Sequence, residues 1–334
     1  MNHLPAALPP DPLPKHRLKL ENIVLAATLI APEFLNSPQF NCEPLDEALG
    51  CHLTLKLETA NPIRSFKGRG AGFLIASRAR DGGLHGRRII GASAGNWGQA
   101  LAYACRSHQI PLTLFAATTA NPLKVARMRA LGADMVLTGH DFDAAKQAGE
   151  AHAKAAGALW VADGLDPEAA EGAATIAIEL LASPERPDVL VIPLGNGALL
   201  TGMARWAKAA HPGIEVIGVQ ASGADAMEKS WRSGQLVFPP AVATIADGIG
   251  VRVPIAEAVE DMKGIVDDVL LVEDAQIISA MQLLFKTAGL LAEPSGAAGV
   301  AAIVAYQDRF RGRSVATVIC GSNLTEDQVR RWLA

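Results

Sequence analysis

Apolar and polar positions alternate with a period of two between Leu53 and Glu58, which is the pattern of a partly buried β-strand. Residues 59–62, Thr-Ala-Asn-Pro, are residue types that end such a strand in a turn. A helical segment follows from Lys67 to about Arg80, and the Asp-Gly-Gly sequence at 81–83 ends it. The pattern therefore predicts a strand, a turn and a long helix that begins near Lys67.

The rest of the chain repeats this exchange of short apolar runs and longer helical segments. Strands are predicted at 88–92, 112–116, 134–137, 159–161, 189–193, 215–220 and 314–320. Helices are predicted at 18–27, 97–107, 122–131, 143–156, 167–181, 198–210, 225–233, 254–262, 274–288, 296–307 and 325–333. Short strands separated by helices indicate βαβ units, so we expect an α/β fold with mostly parallel sheets.

The chain's composition is ordinary for a soluble enzyme and unlike that of a disordered chain. Its 334 residues can bury a large core, and 50% of them are hydrophobic while 19% are charged. The net charge of −4 argues against a nucleic-acid partner or an anionic membrane surface. No apolar run reaches transmembrane length, and residues 4–14 form a proline-rich arm without the features of a signal segment. We therefore expect a cytoplasmic protein with no membrane partner.

The metal-binding residue types show no metal-binding spacing. The cysteines contain no C-x-x-C pair, and the eight histidines contain no H-x-x-x-H pair. Dispersed cysteines suit free thiols in a reducing compartment. We expect no bound metal ion.

Lys67 is the first candidate for chemistry, because it begins the predicted helix after the turn. Unpaired backbone N–H groups and the positive end of the helix dipole disfavour an ammonium at such a position. A deprotonated lysine is a nucleophile toward carbonyl carbons and forms Schiff bases. Taken alone, a lysine in Ser65-Phe66-Lys67-Gly68-Arg69-Gly70-Ala71 is more often an exposed surface residue, so the interpretation depends on the segments that accompany it.

Two loops follow predicted strands and precede predicted helices. The first is Ser93-Ala94-Gly95-Asn96-Trp97-Gly98-Gln99, and the second is Pro193-Leu194-Gly195-Asn196-Gly197-Ala198-Leu199-Leu200-Thr201-Gly202. Small residues allow close approach of the backbone to a ligand, and a helix N-terminus offers N–H donors to an anion. Either loop alone is also explained as a simple strand-to-helix turn.

Three further segments occur later in the chain. They are Thr244-Ile245-Ala246-Asp247-Gly248-Ile249-Gly250-Val251, Glu293-Pro294-Ser295-Gly296-Ala297-Ala298 and Val318-Ile319-Cys320-Gly321-Ser322-Asn323. In the second of these, Ser295 is expected to cap the helix that follows. Together these six segments, which are the one around Lys67, the two loops and these three stretches, include every candidate site residue.

In this order, these segments resemble those of the fold-type II pyridoxal phosphate (PLP) enzymes, which include serine and threonine dehydratases, serine racemase, threonine synthase and the tryptophan synthase β-chain. The resemblance implies a two-lobe α/β fold like that of the tryptophan synthase β-chain, with mostly parallel sheets flanked by helices. It also implies a large PLP-binding domain from residues 1–88 and 164–334, a small inserted domain at 89–163, and a homodimer.

The resemblance also assigns roles to individual residues. Lys67 is the catalytic residue and holds PLP as a Schiff base, and Cys320, or Ser322 in its place, contacts the pyridine nitrogen. The other cofactor-binding residues implied are Phe66, Asn96, Gly195, Asn196, Gly197, Ala198, Leu199, Gly248 and Glu293. The substrate-binding residues implied are Ser93, Ala94, Gly95, Asn96 and Trp97. Trp97 departs from the commoner family pattern, and its ring either shapes the substrate pocket or packs between the lobes.

The resemblance implies a dehydratase, or ammonia-lyase, that converts a β-hydroxy amino acid such as L-threonine or L-serine into a 2-oxo acid and ammonia. A thiol or hydroxyl at the pyridine nitrogen supplies no fixed negative charge, which favours prompt loss of a β-leaving group over a long-lived carbanion. Ala94 replaces the serine that delivers a proton in serine racemase, and Gln220 and Ala226 replace carboxylates of a divalent-ion site.

Other functions remain open from the sequence. A β-replacement enzyme like threonine synthase is one, because Asn196 and the pair Glu171-Gly172 are reminiscent of that branch. An amino-acid racemase of the same fold is another, and a PLP-binding protein without activity is a third. A nicotinamide-dependent oxidoreductase is disfavoured, since Gly195-x-Gly197 lacks the third glycine of the dinucleotide fingerprint.

Overall fold

The computed structural model describes residues 7–80 and 82–333, which form two β-sheets flanked by helices. The larger sheet contains β1 (Gln39–Asn41), β2 (His52–Leu57), β7 (Val189–Pro193), β8 (Glu215–Ala221), β9 (Asp268–Val272) and β10 (Ser314–Ile319). Its strand order is β1-β2-β10-β7-β8-β9, and all neighbours are parallel except β1 and β2. The smaller sheet contains β3 (Ile89–Ala92), β4 (Leu112–Ala116), β5 (Asp134–Leu137) and β6 (Leu159–Val161), all parallel in the order β5-β4-β3-β6.

The helices connect these strands and cover the sheets. They are α1 (Leu20–Leu29), α2 (Glu43–Leu49), α3 (Lys67–Arg80), α4 (Asn96–Ser107), α5 (Pro122–Ala130), α6 (Phe142–Ala156), α7 (Pro167–Leu181), α8 (Ala198–Ala210), α9 (Ala226–Ser233), α10 (Ala256–Asp261), α11 (Asp274–Ala288), α12 (Pro294–Ala305), α13 (Gln307–Phe310) and α14 (Glu326–Leu333). Short 3₁₀ turns lie at Pro32–Phe34, Ser222–Ala224 and Asp247–Ile249. No helix within the described residues is long and apolar enough to cross a membrane.

The predicted elements are present, with ends that differ by at most a few residues, but the pattern missed four elements, which are β1, α2, β9 and the short helix α13. Strand β1 and helix α2 lie in the region before Leu53, and β9 is a short apolar run that begins and ends next to acidic residues. The acidic residue Asp268 at the start of β9 pairs with Arg309 of α13, which is distant in sequence. The prediction was therefore wrong where a strand depends on partners far along the chain.

Helix α7 is the buried helix around which the larger sheet's helices pack. Its residues 169–181 are all buried, and it contacts α3, α8 and α1. Helices α3 and α7 approach closely at two glycines: a Cβ atom on Gly70 would lie 2.5 Å from the Ala169 carbonyl oxygen, and one on Gly172 would lie 2.6 Å from that of Arg69. This close packing fixes the position of the helix that begins at Lys67.

A buried ionic network lies beneath the start of α3. The Arg69 guanidinium is 0% exposed and donates to both oxygens of Glu58, at 2.8 and 2.7 Å, and to both oxygens of Glu179, at 2.5 and 2.9 Å. The Lys56 ammonium donates to Glu179 at 2.7 Å and to the Ser37 carbonyl at 2.7 Å. Two cations and two carboxylates thus tie β2, α3 and α7 together within two residues of Lys67.

Candidate functional site

The candidate site lies where the carboxyl ends of parallel strands from both sheets meet. Strand β2 leads to the turn before Lys67, β7 leads to the Gly195 loop, and β3 leads to the Ser93 loop. Strand β10 leads to residues 320–323, and β6 leads to residues 162–166. Ligands of open α/β sheets bind at such ends, because the loops that follow adjacent strands converge there.

The Lys67 side chain is mostly buried and its amine contacts a carboxylate. Lys67 Nζ lies 2.7 and 2.6 Å from the two oxygens of Asp163, and the two side chains are 14% and 15% exposed. The same Nζ lies 4.7 Å from the centre of the Phe66 ring and 5.9 Å from that of the Trp97 ring. Lys67 is therefore an enclosed amine rather than an exposed surface lysine.

Sequence reasoning did not identify Asp163. This residue lies two positions after the end of β6, at the same sheet edge as the Ser93 loop that follows β3. The signal that could have found it is an acidic residue directly after a predicted strand of a parallel sheet. The contact with Lys67 joins residues 96 positions apart, and no local pattern predicts it.

The Ser93 loop presents unpaired N–H groups at the start of α4. Ser93 Oγ accepts hydrogen bonds from the N–H groups of Gly95, at 3.1 Å, and Gly98, at 2.9 Å, which fixes the turn. Within the part of the chain that the structure describes, the backbone N–H groups of Ala94, Asn96 and Trp97 find no acceptor. The loop is built to bind an anion such as a carboxylate.

Asn96 joins this loop to the other sheet through a buried network. Its Nδ2 donates to Glu293 Oε1 at 2.8 Å, and its Oδ1 accepts from Asn323 Nδ2 at 2.8 Å. The Asn323 N–H donates to the other oxygen of Glu293 at 2.8 Å. Burial, followed by the charge of Asp247, raises the pKa of Glu293 to about 7. The predicted site residues Asn96 and Glu293 are thus in direct contact, and Asn96 keeps one amide hydrogen free.

The Gly195 loop is a second anion cradle. Among the described residues, no acceptor receives the backbone N–H groups of residues 195–199, which follow β7 and begin α8. Gly197 has φ +99°, a conformation that favours glycine, and a Cβ atom on Gly195 would lie 2.8 Å from the Gly248 carbonyl oxygen. Asn196 Nδ2 lies 3.4 Å from Asp163 Oδ2, which places this loop beside Lys67.

Ser295 does not cap α12 as expected. The helix begins at Pro294, a favoured first helical residue, so Glu293 is the N-cap residue and the Ser295 hydroxyl has no role at the helix end. The Ser295 Oγ is buried without a hydrogen-bond partner in the described structure. A Cβ atom on Gly248 would lie 2.7 Å from this hydroxyl. The predicted site residue Gly248 therefore faces an unpaired polar atom.

Cys320 and Ser322 follow β10, and both are buried. The Cys320 thiol lies 3.5 Å from the Ser295 carbonyl oxygen. Burial, followed by the charge of Glu293, raises the pKa of the Cys320 thiol well above its usual range. A neutral thiol donor therefore lies beside Ser295, whereas Ser322 makes a backbone hydrogen bond to Arg64.

Two ion pairs join the smaller sheet's helices to residues 247–252, the segment that contains Gly248. Lys124 of α5 pairs with Asp247 at 2.5 Å, and Arg252 pairs with Asp143 of α6.

Residues 7–80 and 82–333 contain no cluster of three or more histidine, cysteine, aspartate or glutamate side chains suited to a metal ion. Gln220 accepts a hydrogen bond from the Glu228 N–H, which is a structural contact of the larger sheet.

The site residues fit PLP. An enclosed lysine amine suits an aldehyde, and the unpaired N–H groups of the Gly195 loop suit a phosphate dianion. The neutral Cys320 thiol and the unpaired Ser295 hydroxyl suit a ring nitrogen that carries no fixed counter-charge. Lys67, the Gly195 loop and Cys320 would therefore hold the cofactor at its aldehyde, phosphate and ring.

Comparison with known proteins agrees with this fit. The family described as "Pyridoxal-phosphate dependent enzyme" matches residues 30–321. The L-threonine ammonia-lyase of Thermotoga maritima is 34% identical over 287 residues, which are 86% of this chain and 71% of that protein. The processed form of threonine deaminase isoform 2 from Solanum lycopersicum superimposes with a TM-score of 0.84 and 26% identity over 98% of each chain. Maize serine racemase superimposes with a TM-score of 0.87 and 25% identity over 94% of this chain and 96% of that one. The predicted family, fold class and cofactor are confirmed, and the chain belongs to the pyridoxal-phosphate-dependent enzymes of this α/β fold.

Proposed function

We propose that this protein is a PLP-dependent ammonia-lyase that converts L-threonine or L-serine into a 2-oxo acid and ammonia. The observation that carries the proposal is an enclosed lysine amine between two loops of unpaired N–H groups, one for a phosphate and one for a carboxylate. The functions of the relatives support it, since an L-threonine ammonia-lyase and a threonine deaminase are both among them.

In this reaction Lys67 acts as the base. The Cα–H bond of the substrate breaks and its proton passes to Lys67 Nζ. PLP held by Lys67, the Gly195 loop and Cys320 would supply an electron sink for the charge left at Cα. The bond from the β-carbon to the hydroxyl oxygen then breaks, and the hydroxyl leaves with its electron pair and takes up a proton as water. The substrate loses one water molecule, and hydrolysis of the product yields ammonia.

The Ser93 loop orients the substrate for this step. The N–H groups of Ala94, Asn96 and Trp97, which find no acceptor among the described residues, would hold the substrate carboxylate. The Ser93 hydroxyl already accepts two N–H groups, so its own hydrogen is available to donate to the carboxylate. The Trp97 indole N–H is buried without a partner in the described structure, and the ring centre lies 5.9 Å from Lys67 Nζ.

Elimination is favoured over racemisation by two residues. The Cys320 thiol, whose pKa is raised by burial, offers no negative charge to the ring nitrogen, and a neutral ring is a weaker electron sink. Ala94 has no hydroxyl with which to return a proton from the opposite face. The structural similarity to maize serine racemase nevertheless keeps racemisation as the second candidate function.

The features reminiscent of threonine synthase have structural explanations. Glu171 accepts hydrogen bonds from the Lys19 N–H, at 2.8 Å, and from Asn22, at 3.1 Å, so it anchors the start of α1. Gly172 allows the close approach of α7 to α3. Only Asn196 lies in the site, and β-replacement has less support than elimination.

The test measures ammonia and 2-oxo acid released from L-threonine, L-serine and other β-hydroxy amino acids by the PLP-loaded protein. Lys67→Ala is the control, and it should retain the fold and lose all turnover. Formation of the D-isomer without 2-oxo acid would instead identify a racemase, and an exchanged product without 2-oxo acid would identify a β-replacement enzyme. A cofactor band reducible by borohydride without turnover on the whole panel would identify a non-catalytic PLP protein.

Three further expectations, on domain organisation, oligomeric state and location, accompany this proposal. We propose a small domain at 89–163 within a large domain at 1–88 and 164–334, supported by the division of strands between the two sheets. We propose a homodimer, which light scattering on the eluted protein measures. We propose a cytoplasmic location, which cell fractionation measures.

A further inference from the structure

Asp163 holds the nitrogen on which the proposed reaction depends. Both of its carboxylate oxygens lie within 2.7 Å of Lys67 Nζ. The Lys67 and Asp163 side chains are 14% and 15% exposed. A bidentate contact of this kind fixes direction as well as distance. Asp163 is thus the nearest charged group to the proposed base.

The turn that carries Asp163 is built to be rigid. Gly164 has φ +84°, and a Cβ atom there would lie 2.5 Å from the Asn196 carbonyl oxygen, so the turn packs directly on the Gly195 loop. On the other side of Asp163, the Ala162 N–H donates to Asp166 at 2.8 Å. The backbone on both sides of Asp163 is therefore fixed.

A cation from the N-terminal segment fastens the same turn from outside. The Arg17 guanidinium donates to the carbonyl oxygens of Gly164, at 3.4 Å, and Leu165. Arg17 is itself paired with the buried Asp261 through two of its nitrogens. These contacts hold the backbone of the turn, which keeps the Asp163 carboxylate within reach of the Lys67 nitrogen.

We propose that Asp163 is a positioning residue for Lys67, an inference that rests on the proposed ammonia-lyase reaction. When Lys67 takes the Cα proton, its nitrogen becomes positively charged, and a carboxylate at hydrogen-bond distance stabilises that charge. The proton stays on the Lys67 nitrogen and Asp163 remains a carboxylate. Asp163 also keeps the nitrogen pointed at one position between the two loops, which is what an efficient proton transfer requires.

The primary test follows the visible absorbance of bound PLP with pH, which reports the protonation of the nitrogen that links Lys67 to the cofactor. Asp163→Asn should move the spectral transition to lower pH by at least one unit, because the variant lacks the negative charge that favours the protonated nitrogen. Asp163→Glu should return the transition at least halfway toward the parent value. An Asp163→Asn transition at the parent pH would overturn the proposal.

Asp166→Asn is the matched control, because Asp166 holds the same turn through the Ala162 N–H and makes no contact with Lys67 in the described structure. This control should keep the parent spectral transition. If it shifts the transition as far as Asp163→Asn does, turn rigidity rather than the Asp163 charge is responsible, and the proposal is wrong.

Kinetics separate this proposal from the proposed function. With L-threonine, Asp163→Asn should lower kcat at least tenfold while KM changes less than threefold, because Asp163 acts on the base and not on the carboxylate loop. If the parent protein forms no 2-oxo acid at all, the proposed function fails, whereas the spectral titration still decides whether Asp163 acts on Lys67.

A second measurement applies if Asp163→Asn takes up no PLP. Acetylation of Lys67 in the unloaded protein by acetic anhydride, followed by peptide mass spectrometry, measures how available the free amine is. The rate should be at least threefold higher in Asp163→Asn than in the parent, because the ammonium form is unreactive. Equal rates would overturn the proposal.

Discussion

Removing the Arg69 guanidinium should destabilise the protein severely, although Arg69 lies outside the candidate site. In Arg69→Met, Glu58 and Glu179 stay buried and lose their common partner, while Lys56 alone remains beside them. Removing one partner from a buried ion pair costs about 3–5 kcal/mol, because the remaining charge is left unpaired in a poorly polarisable interior. We therefore expect a loss of about 4 kcal/mol in the free energy of unfolding.

The titration of Glu179 gives a second measure of the same interaction. Burial alone would raise the pKa of Glu179, but the hydrogen bonds and charge of Arg69, with the charge of Lys56, lower it from 4.5 to about 2. At about 1.4 kcal/mol for each pKa unit, this shift corresponds to roughly 3 kcal/mol. Because the folded-state pKa is depressed, this stabilisation is present above pH 4.5 and is lost as the pH falls toward 2.

The assay is unfolding of the PLP-loaded variant by heat and by urea at pH 7. An unfolding entropy of ~2.1 cal/mol/K per residue gives about 0.7 kcal/mol/K for this chain, so a loss of 4 kcal/mol lowers Tm by about 6 °C. Arg78→Met is the matched control, because Arg78 lies on the same helix and pairs with Asp166 and Glu168 at 23% exposure. Partly exposed pairs contribute about 0–1 kcal/mol, so the control should lose less than about 2 °C.

The double variant Arg69→Met/Glu58→Gln separates charge from packing. Neutralising one of the unpaired carboxylates should recover part of the lost stability, since the amide keeps the shape of the glutamate. Equal losses in Arg69→Met and Arg78→Met, or no recovery in the double variant, would refute the argument that unpaired charge causes the loss.

Three other changes have outcomes that the structure defines. Gly70→Ala should lower the free energy of unfolding, measured in urea, by about 1–3 kcal/mol, because the new Cβ would lie 2.5 Å from a carbonyl oxygen of α7. Gly72→Ala is the control on the same helix, and it should lose no stability because its Cβ would meet no atom within 4 Å. Burial, followed by the charge of Asp247, raises the pKa of Glu293 to about 7, so ionisation of this carboxyl opposes folding as the pH rises from 4.5 to 8. Over this interval the free energy of unfolding of Glu293→Gln should therefore rise by about 2–3 kcal/mol relative to that of the parent. A stability difference that does not change with pH would contradict this. Lys124→Gln should lower the free energy of unfolding by less than about 1 kcal/mol, and by nothing in 1 M salt, because its partner Asp247 is 63% exposed. A loss above about 2 kcal/mol would contradict this expectation for an exposed ion pair.

Much of the site could be predicted because its parts are local in sequence. Each of the loops after β2, β3, β7 and β10 carries its own pattern of small residues, turn residues and a following helix, and these loops follow the carboxyl ends of strands in the two sheets. Asn96 contacts Glu293, and Asn196 contacts the Asp163 carboxylate that pairs with Lys67. The roles of these residues in binding PLP and substrate stay predictions until the proposed variants are measured.

The features that the sequence did not reveal are contacts between residues distant in the chain. Asp163 meets Lys67 across 96 positions, and Glu179 meets Arg69 across 110 positions. Nothing near an acidic residue shows which cation it will pair with after folding. The sequence places Arg69 in a motif but does not indicate that its side chain is fully buried in the folded protein. The prediction of Ser295 as a helix cap was wrong because α12 begins at Pro294, two residues closer to the N-terminus than the predicted start.

The two ionic contacts near Lys67 act on different parts of this residue, and this difference can be measured. Arg69 lies two positions along α3 and fixes the backbone from which the Lys67 side chain extends, whereas Asp163 contacts the nitrogen at its end. A loss at Arg69 should therefore lower stability without changing the charge near the nitrogen. A loss at Asp163 should shift the spectral transition by at least one pH unit with a smaller loss of stability, because Lys67 and Asp163 are 14% and 15% exposed, whereas Arg69 and Glu58 are fully buried, and because the turn is held by other contacts. If both variants changed both properties to the same extent, the helix start and the amine would behave as a single unit, and a separate positioning role for Asp163 would be excluded.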